Sequence, residues 1–249
     1  MSYNWNWGIF LQMSPDGVHS YLQTLLLGTL WTLATALSAW CLALLLGSLV
    51  GVIRTTPRPW LVRLGNGYVE LFRDIPLLVQ MFLWYFVVPE LLPEAAGDWL
   101  KQLSYASFYT AVVALGLYTS ARVAEQVRAG IQSLSRGQRM AALALGLTLP
   151  QTYLHVLLPM AYRIILPPLT SEFLNIIKNS AVALTIGLME LTARARAMQE
   201  MSFQVFEAFT AATVIYIVIN ILVTFAMRRI EGRLAVPGLI GAKPALATH

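Results

Sequence analysis

The chain has 249 residues, 57% hydrophobic and only 12% charged, with a mean hydropathy of +0.65 and a net charge of +5. Soluble domains carry about 25% charged residues, so this composition excludes a soluble globule and points to an integral membrane protein with most of its mass in one helical domain. A single cysteine, Cys41, in an apolar run excludes a disulfide framework and a cysteine-based metal site, and the basic residues cluster beside apolar stretches, where they set topology rather than bind nucleic acid.

In chain order, residues 1–22 precede the first span. The start MSYNWNWGIFLQ lacks a basic region and a small-residue cleavage site, so it does not read as a cleaved signal peptide. Trp5, Trp7 and Phe10 predict a short helix at the membrane–water interface on what is read as the periplasmic side. The first span is predicted over 24–53, where Gly47 and Gly51 form a G-x-x-x-G that favours close helix packing. Arg54, Arg58 and Arg63 make a basic loop. The second span is predicted over 68–88; its charge-free part is so short that Glu70, Arg73 and Asp74 must enter its first turns, and Pro76 frees a backbone carbonyl that a polar partner must satisfy. Glu90, Glu94, Asp98 and Lys101 make a net-acidic loop. The third span, over 108–131, carries Arg122, Glu125 and Arg128, and Glu125 and Arg128 stand at i, i+3, where they can pair.

Residues 135–159 lack charge from 140 to 162 yet are punctuated as two short helices rather than a span. Ser135 with Gln138 and Thr148 with Gln151 each fit a capping box. Gly146 stands where a left-handed cap would end the first helix, Pro150 falls in the first turn of the second, and Pro159 is expected to stop or kink it. Such a segment is too broken to cross a bilayer that needs about 20 continuous apolar residues. A fourth span follows over 161–187, then a surface helix within 190–205, a fifth span over 208–227 and a tail over 230–249. Lysines and arginines cluster after the first, third and fifth spans. By the positive-inside rule the N-terminus is outside, and the C-terminus and the 135–159 hairpin are inside.

Four stretches resemble, in order, the motifs of membrane permease subunits of bacterial ABC importers for polar amino acids, the histidine/glutamate/arginine type. Ala141, Ala142, Gly146, Val156, Leu158 and Pro159 fall at the spacings of the E-A-A…G…I-x-L-P loop, with Met140 in place of the usual glutamate. ELFRDIPLLVQ, which holds Arg73 and Gln80, is similar to E-x-x-R-[G/D]-[T/I]-P-L-L-V-Q. Ala121, Glu125, Arg128 and Ile131 match A-Y-x-x-E-x-x-R-x-x-I, with Arg122 in place of tyrosine; Ser171, Glu172, Leu174, Lys178 and Asn179 take the places of N-E-x-I-x-x-x-K-[D]. Within the family, the NWNWGIF start, the VPELLPE loop, TSARVAEQVR and IKNSA look most like the glutamate/aspartate permeases. The resemblance implies an all-α type I permease fold with about five transmembrane helices in the bacterial inner membrane. It implies a second permease chain, expected to be a different one, two ATPase subunits and a periplasmic substrate-binding protein. No cofactor is expected on this chain; ATP belongs to the partner ATPase. Gln138, Ala141, Ala142, Gly146, Leu158 and Pro159 are then the residues that couple to it.

Ser171, Glu172, Asn175, Lys178 and Asn179 project within an arc of about 120° on the fourth span. A polar stripe there faces protein or a water-filled cavity. With Arg73, Gln80 and Arg122 it forms the candidate substrate path, against the alternative of a fixed structural network. Lys178 is the better candidate for an anion; Glu172 takes an α-ammonium or neutralises a basic neighbour. An arginine inside a span costs at least about 2.5–3.5 kcal/mol, and for Arg122 either a fixed pair with Glu125 or another acid, or a substrate carboxylate, would recover it. No G-x-x-x-x-G-K-[ST] is present, and His19, His155 and His249 are scattered, so neither ATP binding nor catalysis is indicated. A secondary transporter or channel is the rival reading, but it has no use for the 135–159 hairpin; a structural scaffold has no use for the polar stripe.

Overall fold

Ser20 starts the first helix: its hydroxyl accepts from the Gln23 N–H at 3.3 Å while Gln23 Oε1 accepts from the Ser20 N–H at 2.8 Å, so two otherwise unpaired donors are satisfied. The computed structural model describes residues 3–234. Its helices are α1 (Tyr21–Ile53), α2 (Pro59–Asp74), α3 (Leu77–Leu91), α4 (Glu94–Gln102), α5 (Ala106–Gln132), α6 (Arg136–Ala144), α7 (Leu149–Ile186, tightening to 3₁₀ geometry from Ser180), α8 (Leu191–Ser202) and α9 (Val205–Leu234). Among the described residues the only strand-like pairing is a single bridge between Met13 and Ser20.

The core is built on α5. Its Ala111, Ala114, Leu115, Val123 and Val127 are fully buried and share one cluster with Ala36, Ala39 and Ala43 of α1 and Ile165, Leu169, Ile176 and Ile177 of α7. The predicted G-x-x-x-G explains how α1 comes so close. A Cβ on Gly47 would lie 2.6 Å from Val123 Cβ, and one on Gly51 would lie 2.7 Å from Val127 Cβ and 2.9 Å from the Ala124 carbonyl oxygen. Two glycines one turn apart face two valines one turn apart, and any larger residue would push the helices apart. By length and composition α1 and α9 can each cross a membrane. α5 carries Arg122, Glu125 and Arg128 and packs against α1, α2 and α7.

The helix expected over 68–88 is not continuous. α2 and α3 meet at 99°, because Pro76 cannot extend the helix that precedes it. The carbonyls released at this break are those of Phe72 and Ile75, and Gln80 Nε2 donates to both, at 2.8 and 3.0 Å. Glu70, Arg73 and Asp74 therefore sit on α2, outside the span. Pro159 likewise does not stop the hairpin's second helix. A π-helical turn at Tyr153–Leu157, closed by the Leu158 N–H on the Tyr153 carbonyl, precedes it and lets α7 run on to Asn179 as α-helix. The same device, Leu83–Val87, precedes Pro89 in α3. A widened turn relieves the proline's missing donor and its clash with the preceding turn.

Two smaller expectations also change. The helix within 190–205 is α8, but it is not a surface helix: Leu191, Ala195 and Met198, at i, i+4 and i+7, are buried against α1 and α9. Its N-cap Glu190 is fully buried and accepts from the Ala193 N–H at 2.8 Å, the Thr192 N–H at 2.9 Å and the Tyr216 hydroxyl at 3.0 Å. The interfacial helix shrinks to one 3₁₀ turn, Trp7–Leu11, preceded by a strap in which the Asn6 N–H and the Tyr3 hydroxyl donate to Glu207 on α9. Trp5 and Trp7 stack at 5.8 Å and remain half exposed. α9 runs to Leu234, and the rest of the tail expected over 230–249 lies outside the described residues.

Replacing Gly47 by Leu is expected to destabilise the purified protein by about 1–3 kcal/mol through overpacking against Val123. Gly67→Ala, whose added Cβ meets nothing within 4 Å, leaves it unchanged or slightly firmer. Thermal unfolding followed by size-exclusion chromatography reads the difference; equal stability of both variants would remove the close contact.

Candidate translocation site and coupling hairpin

The hairpin has the predicted turn. Gly146 adopts φ +85°, the Leu147 N–H donates to the Ala142 carbonyl at 3.2 Å, and the Gly146 N–H to the Leu143 carbonyl at 3.0 Å, which together close α6 in a Schellman arrangement. Gln151 Oε1 accepts from the Thr148 N–H and hydroxyl at 2.8 and 2.9 Å, so the second capping box is formed through Gln151. The first is not: Ser135 caps α6 without a side-chain bond, and Gln138 turns its amide inward, where Oε1 is shielded and unpartnered among the described residues. Ala142 is buried, whereas Ala141, Met140, Leu143, Leu145 and Gly146 face outward. Leu158 is half-buried and Pro159 exposed. The Tyr153 hydroxyl donates to the Thr55 carbonyl at 2.8 Å, so the hairpin leans on the C-terminal end of α1.

The polar stripe on α7 divides between two neighbours. Glu172 faces α5, where its Oε2 lies 4.0 Å from Arg122 Nη1. Lys178, six residues on, lines a groove of about 690 Å³ beside α9, with Tyr216, Asn220 and Arg228 among its walls. Ser171 is exposed and Asn175 and Asn179 are part-buried, and none of the three has a side-chain hydrogen bond among the described residues. The stripe thus carries opposite charges at Glu172 and Lys178, with Asn175 unpartnered between them, and does not close into a network among the described residues.

Arg122 does not pair with Glu125. Its Nη2 donates to the Tyr118 hydroxyl at 2.7 Å, the guanidinium carbon lies 4.9 Å from the Tyr118 ring centre, and the side chain keeps 42% exposure. Glu125 instead accepts from Arg54 Nη2 at 2.8 Å, and the expected pair of Glu125 with Arg128 is absent. Arg122 is thus held on an aromatic face with only a long ion pair to Glu172, and a bidentate partner has room to reach it. Two members of the proposed path stand apart. Gln80 is engaged with the Phe72 and Ile75 carbonyls and serves the backbone at the Pro76 break. Arg73 lies on α2 in a separate charged cavity near Arg54.

Against this geometry, the family model described as "Binding-protein-dependent transport system inner membrane component" matches residues 43–236. The chain belongs to that family. Its relatives include the glutamate/aspartate import permease protein GltJ of Escherichia coli (strain K12), 50% identical over 246 residues, covering 98% of this chain and all of the relative. The probable glutamine ABC transporter permease protein GlnM of Bacillus subtilis (strain 168) is 37% identical over 203 residues, covering 82% of this chain and 89% of GlnM. Among solved structures, an amino acid ABC transporter crystallised with histidines superposes with a TM-score of 0.72 at 30% identity, covering 86% of this chain and 95% of that one. The inward-facing MetNI methionine ABC transporter gives 0.73 at 20% identity and 90% coverage, a likeness of fold. As an inner membrane component of a binding-protein-dependent transport system, the chain has the type I permease fold, works with a substrate-binding protein and leaves ATP hydrolysis to a separate ATPase subunit.

Sequence reasoning missed three residues of this family member. Tyr118 is one turn before Arg122, and an aromatic at i−4 from an intramembrane arginine is a readable signal. Glu190 immediately precedes an apolar run at i, i+4, i+7, the position of an N-cap. Arg54 stands three residues beyond Gly51 and continues the glycine face of α1, but its partner on α5 is 71 residues away and no local spacing reveals it.

Gly146 tolerates space but not handedness: a Cβ there meets nothing within 4 Å, yet φ is +85°. Gly146→Ala is therefore expected to cost about 1–2 kcal/mol through backbone strain, and Gly146→Asn less. Limited proteolysis of the hairpin reads this; equal cleavage of Gly146→Ala and the parent would contradict it.

Proposed function

We propose that this chain forms, with a second and different permease chain, the translocation path for glutamate and aspartate across the bacterial inner membrane. It crosses the membrane five times with its N-terminus outside, and its cytoplasmic hairpin docks on one of the two ATPase subunits of the complex. The observation that carries the substrate is Arg122, a guanidinium in mid-helix on α5, half exposed beside Tyr118 and only loosely opposed by Glu172. The 50% identity to GltJ over the whole chain supports the same reading. In it, Arg122 takes the side-chain carboxylate, Glu172 the α-ammonium, and Lys178 a carboxylate further along α7, past Asn175, with Ser171 and Asn179 at the two ends of the stripe. The exposed apolar side chains of Met140, Leu143 and Leu145 offer the hairpin's contact to the ATPase. No cofactor is held by this chain; ATP sits on the partner.

Arg122→Tyr is expected to lower glutamate and aspartate uptake about 10- to 150-fold, the value of one charged hydrogen bond. Because Glu125 keeps Arg54, assembly of the complex and its ATPase response to the binding protein persist. Arg122→Lys recovers part of the uptake, since an ammonium lacks the planar fork. Radiolabelled uptake into proteoliposomes decides, and full glutamate uptake by a well-assembled Arg122→Tyr complex would sink the assignment.

Topology has its own test. In a Cys41→Ala background, a cysteine at the exposed Arg136 reacts with a membrane-permeant thiol reagent and is silent to an impermeant one applied from the periplasm. Labelling from the periplasm would reverse the orientation.

A further inference from the structure

Two of the motifs that run separately through the sequence meet in space. The α2 stretch places Glu70, Arg73 and Asp74, and the α5 stretch places Glu125 and Arg128, around one cavity of about 280 Å³ whose inner wall is Arg54. Arg54 is built in: its side chain is 4% exposed, Nε donates to Asn66 Oδ1 at 2.8 Å, and Nη2 to Glu125 Oε1 at 2.8 Å. Its third nitrogen, Nη1, is shielded and has no partner among the described residues, and neither has Arg128 Nε. Glu70, Arg73, Asp74 and Arg128 form no ion pair with any other described residue. A buried donor without a partner costs more than an average hydrogen bond contributes, so two beside one cavity call for a missing acceptor.

The lining defines that acceptor. Three guanidinium groups and three carboxylates balance, so a plain anion gains from the first set and is repelled by the second. A molecule with carboxylate and ammonium together satisfies both. Val69 is the one apolar wall, which gives a lipid chain no seat and leaves a small water-soluble solute. The volume lies just under the range of about 300–1,000 Å³ typical of small-molecule sites. The cavity is on the hairpin side of the molecule, at the end of α1 where Tyr153 contacts Thr55.

We propose that this cavity binds a zwitterionic α-amino acid, the imported substrate itself, from the cytoplasmic side, and that its occupancy slows import. The proposal rests on the import reading above for the identity of the solute and for the side. A ligand with carboxylates on Arg73 and Arg128 and its ammonium at Glu70 or Asp74 ties α2 to α5. The 99° junction between α2 and α3 then cannot move until the ligand leaves.

The test is equilibrium binding of radiolabelled glutamate to the purified complex of both permease chains and the ATPase, binding protein omitted, in an Arg122→Tyr background that removes the path contact. The Arg122→Tyr complex should bind glutamate, and succinate, which lacks the ammonium, should compete poorly. Adding Arg128→Gln or Glu70→Gln should weaken binding about tenfold or more. In proteoliposomes, internal glutamate should slow ATP-driven uptake by the otherwise unaltered complex and slow it less in Arg128→Gln, whose uptake into amino-acid-free vesicles is unchanged. Absence of binding in the Arg122→Tyr complex, or binding indifferent to both cavity substitutions, overturns the site. Uptake that proceeds while binding is absent removes the site and leaves the import reading standing; binding to the cavity in a complex that keeps Arg122 yet cannot import glutamate does the reverse.

Discussion

The contact of Gly47 and Gly51 with Val123 and Val127 fixes where everything else can be. It lets α1 and α5 touch backbone to side chain, and the same face of α1, one turn further on, delivers Arg54 to Glu125. That pair keeps Glu125 from Arg122, which is left with Tyr118 and a distant Glu172. A steric fact about two glycines thus becomes an electrostatic fact about which arginine stays available. A buried ion pair brings little net stability by itself, since desolvation offsets most of the attraction, but breaking it strands a charge. Arg54–Glu125 is therefore better understood as specifying register between α1, α2 and α5 than as holding them together.

Polar groups elsewhere follow the same economy of position. Gln80 closes the carbonyls opened by Pro76, Glu190 gathers the N-terminus of α8 with the hydroxyl of Tyr216, and Glu207 receives the N-terminal strap. Each is an inward polar residue on an apolar scaffold that finds a partner in another segment, although Gln80 Oε1 keeps none among the described residues. Two of the shielded donors left without a partner among the described residues, Arg54 Nη1 and Arg128 Nε, line one cavity together.

Much of this was legible in the sequence. The apolar runs, the small-residue face of α1, the left-handed turn at Gly146 and the polar stripe on α7 all follow from local rules, because each depends on neighbours within a turn or two. The failures share a cause as well. Whether Pro76 breaks a helix while Pro89 and Pro159 are absorbed depends on a π turn, which has no clear sequence mark. Gln138 fits a capping box by spacing, but packing claims its amide. Glu125 has two arginines within reach along its own helix and takes a third from α1. In each case packing that local spacing does not carry decides the outcome, and for Glu125 the partner that prevails is 71 residues away. The amphipathic pattern of 190–205 was visible, but only the positions of α1 and α9 show that its apolar side meets protein.

Because the second arm of the hairpin and the stripe-bearing helix are one piece, α7 is a lever. From Gln151 to Lys178 is 27 residues, about 40 Å of helix at 1.5 Å per residue. A push at the hairpin, where the ATPase is proposed to dock, arrives at the other end with no loop in between to absorb it. Its compliant points are the Pro167-Pro168 pair inside the helix and the π turn at Tyr153–Leu157, which lies close to the fulcrum formed where Tyr153 rests on Thr55. A soft joint beside a fulcrum turns a thrust into a swing. The far end of α7 would then sweep through a larger displacement than the hairpin itself, with Glu172 and Lys178 carried along different arcs.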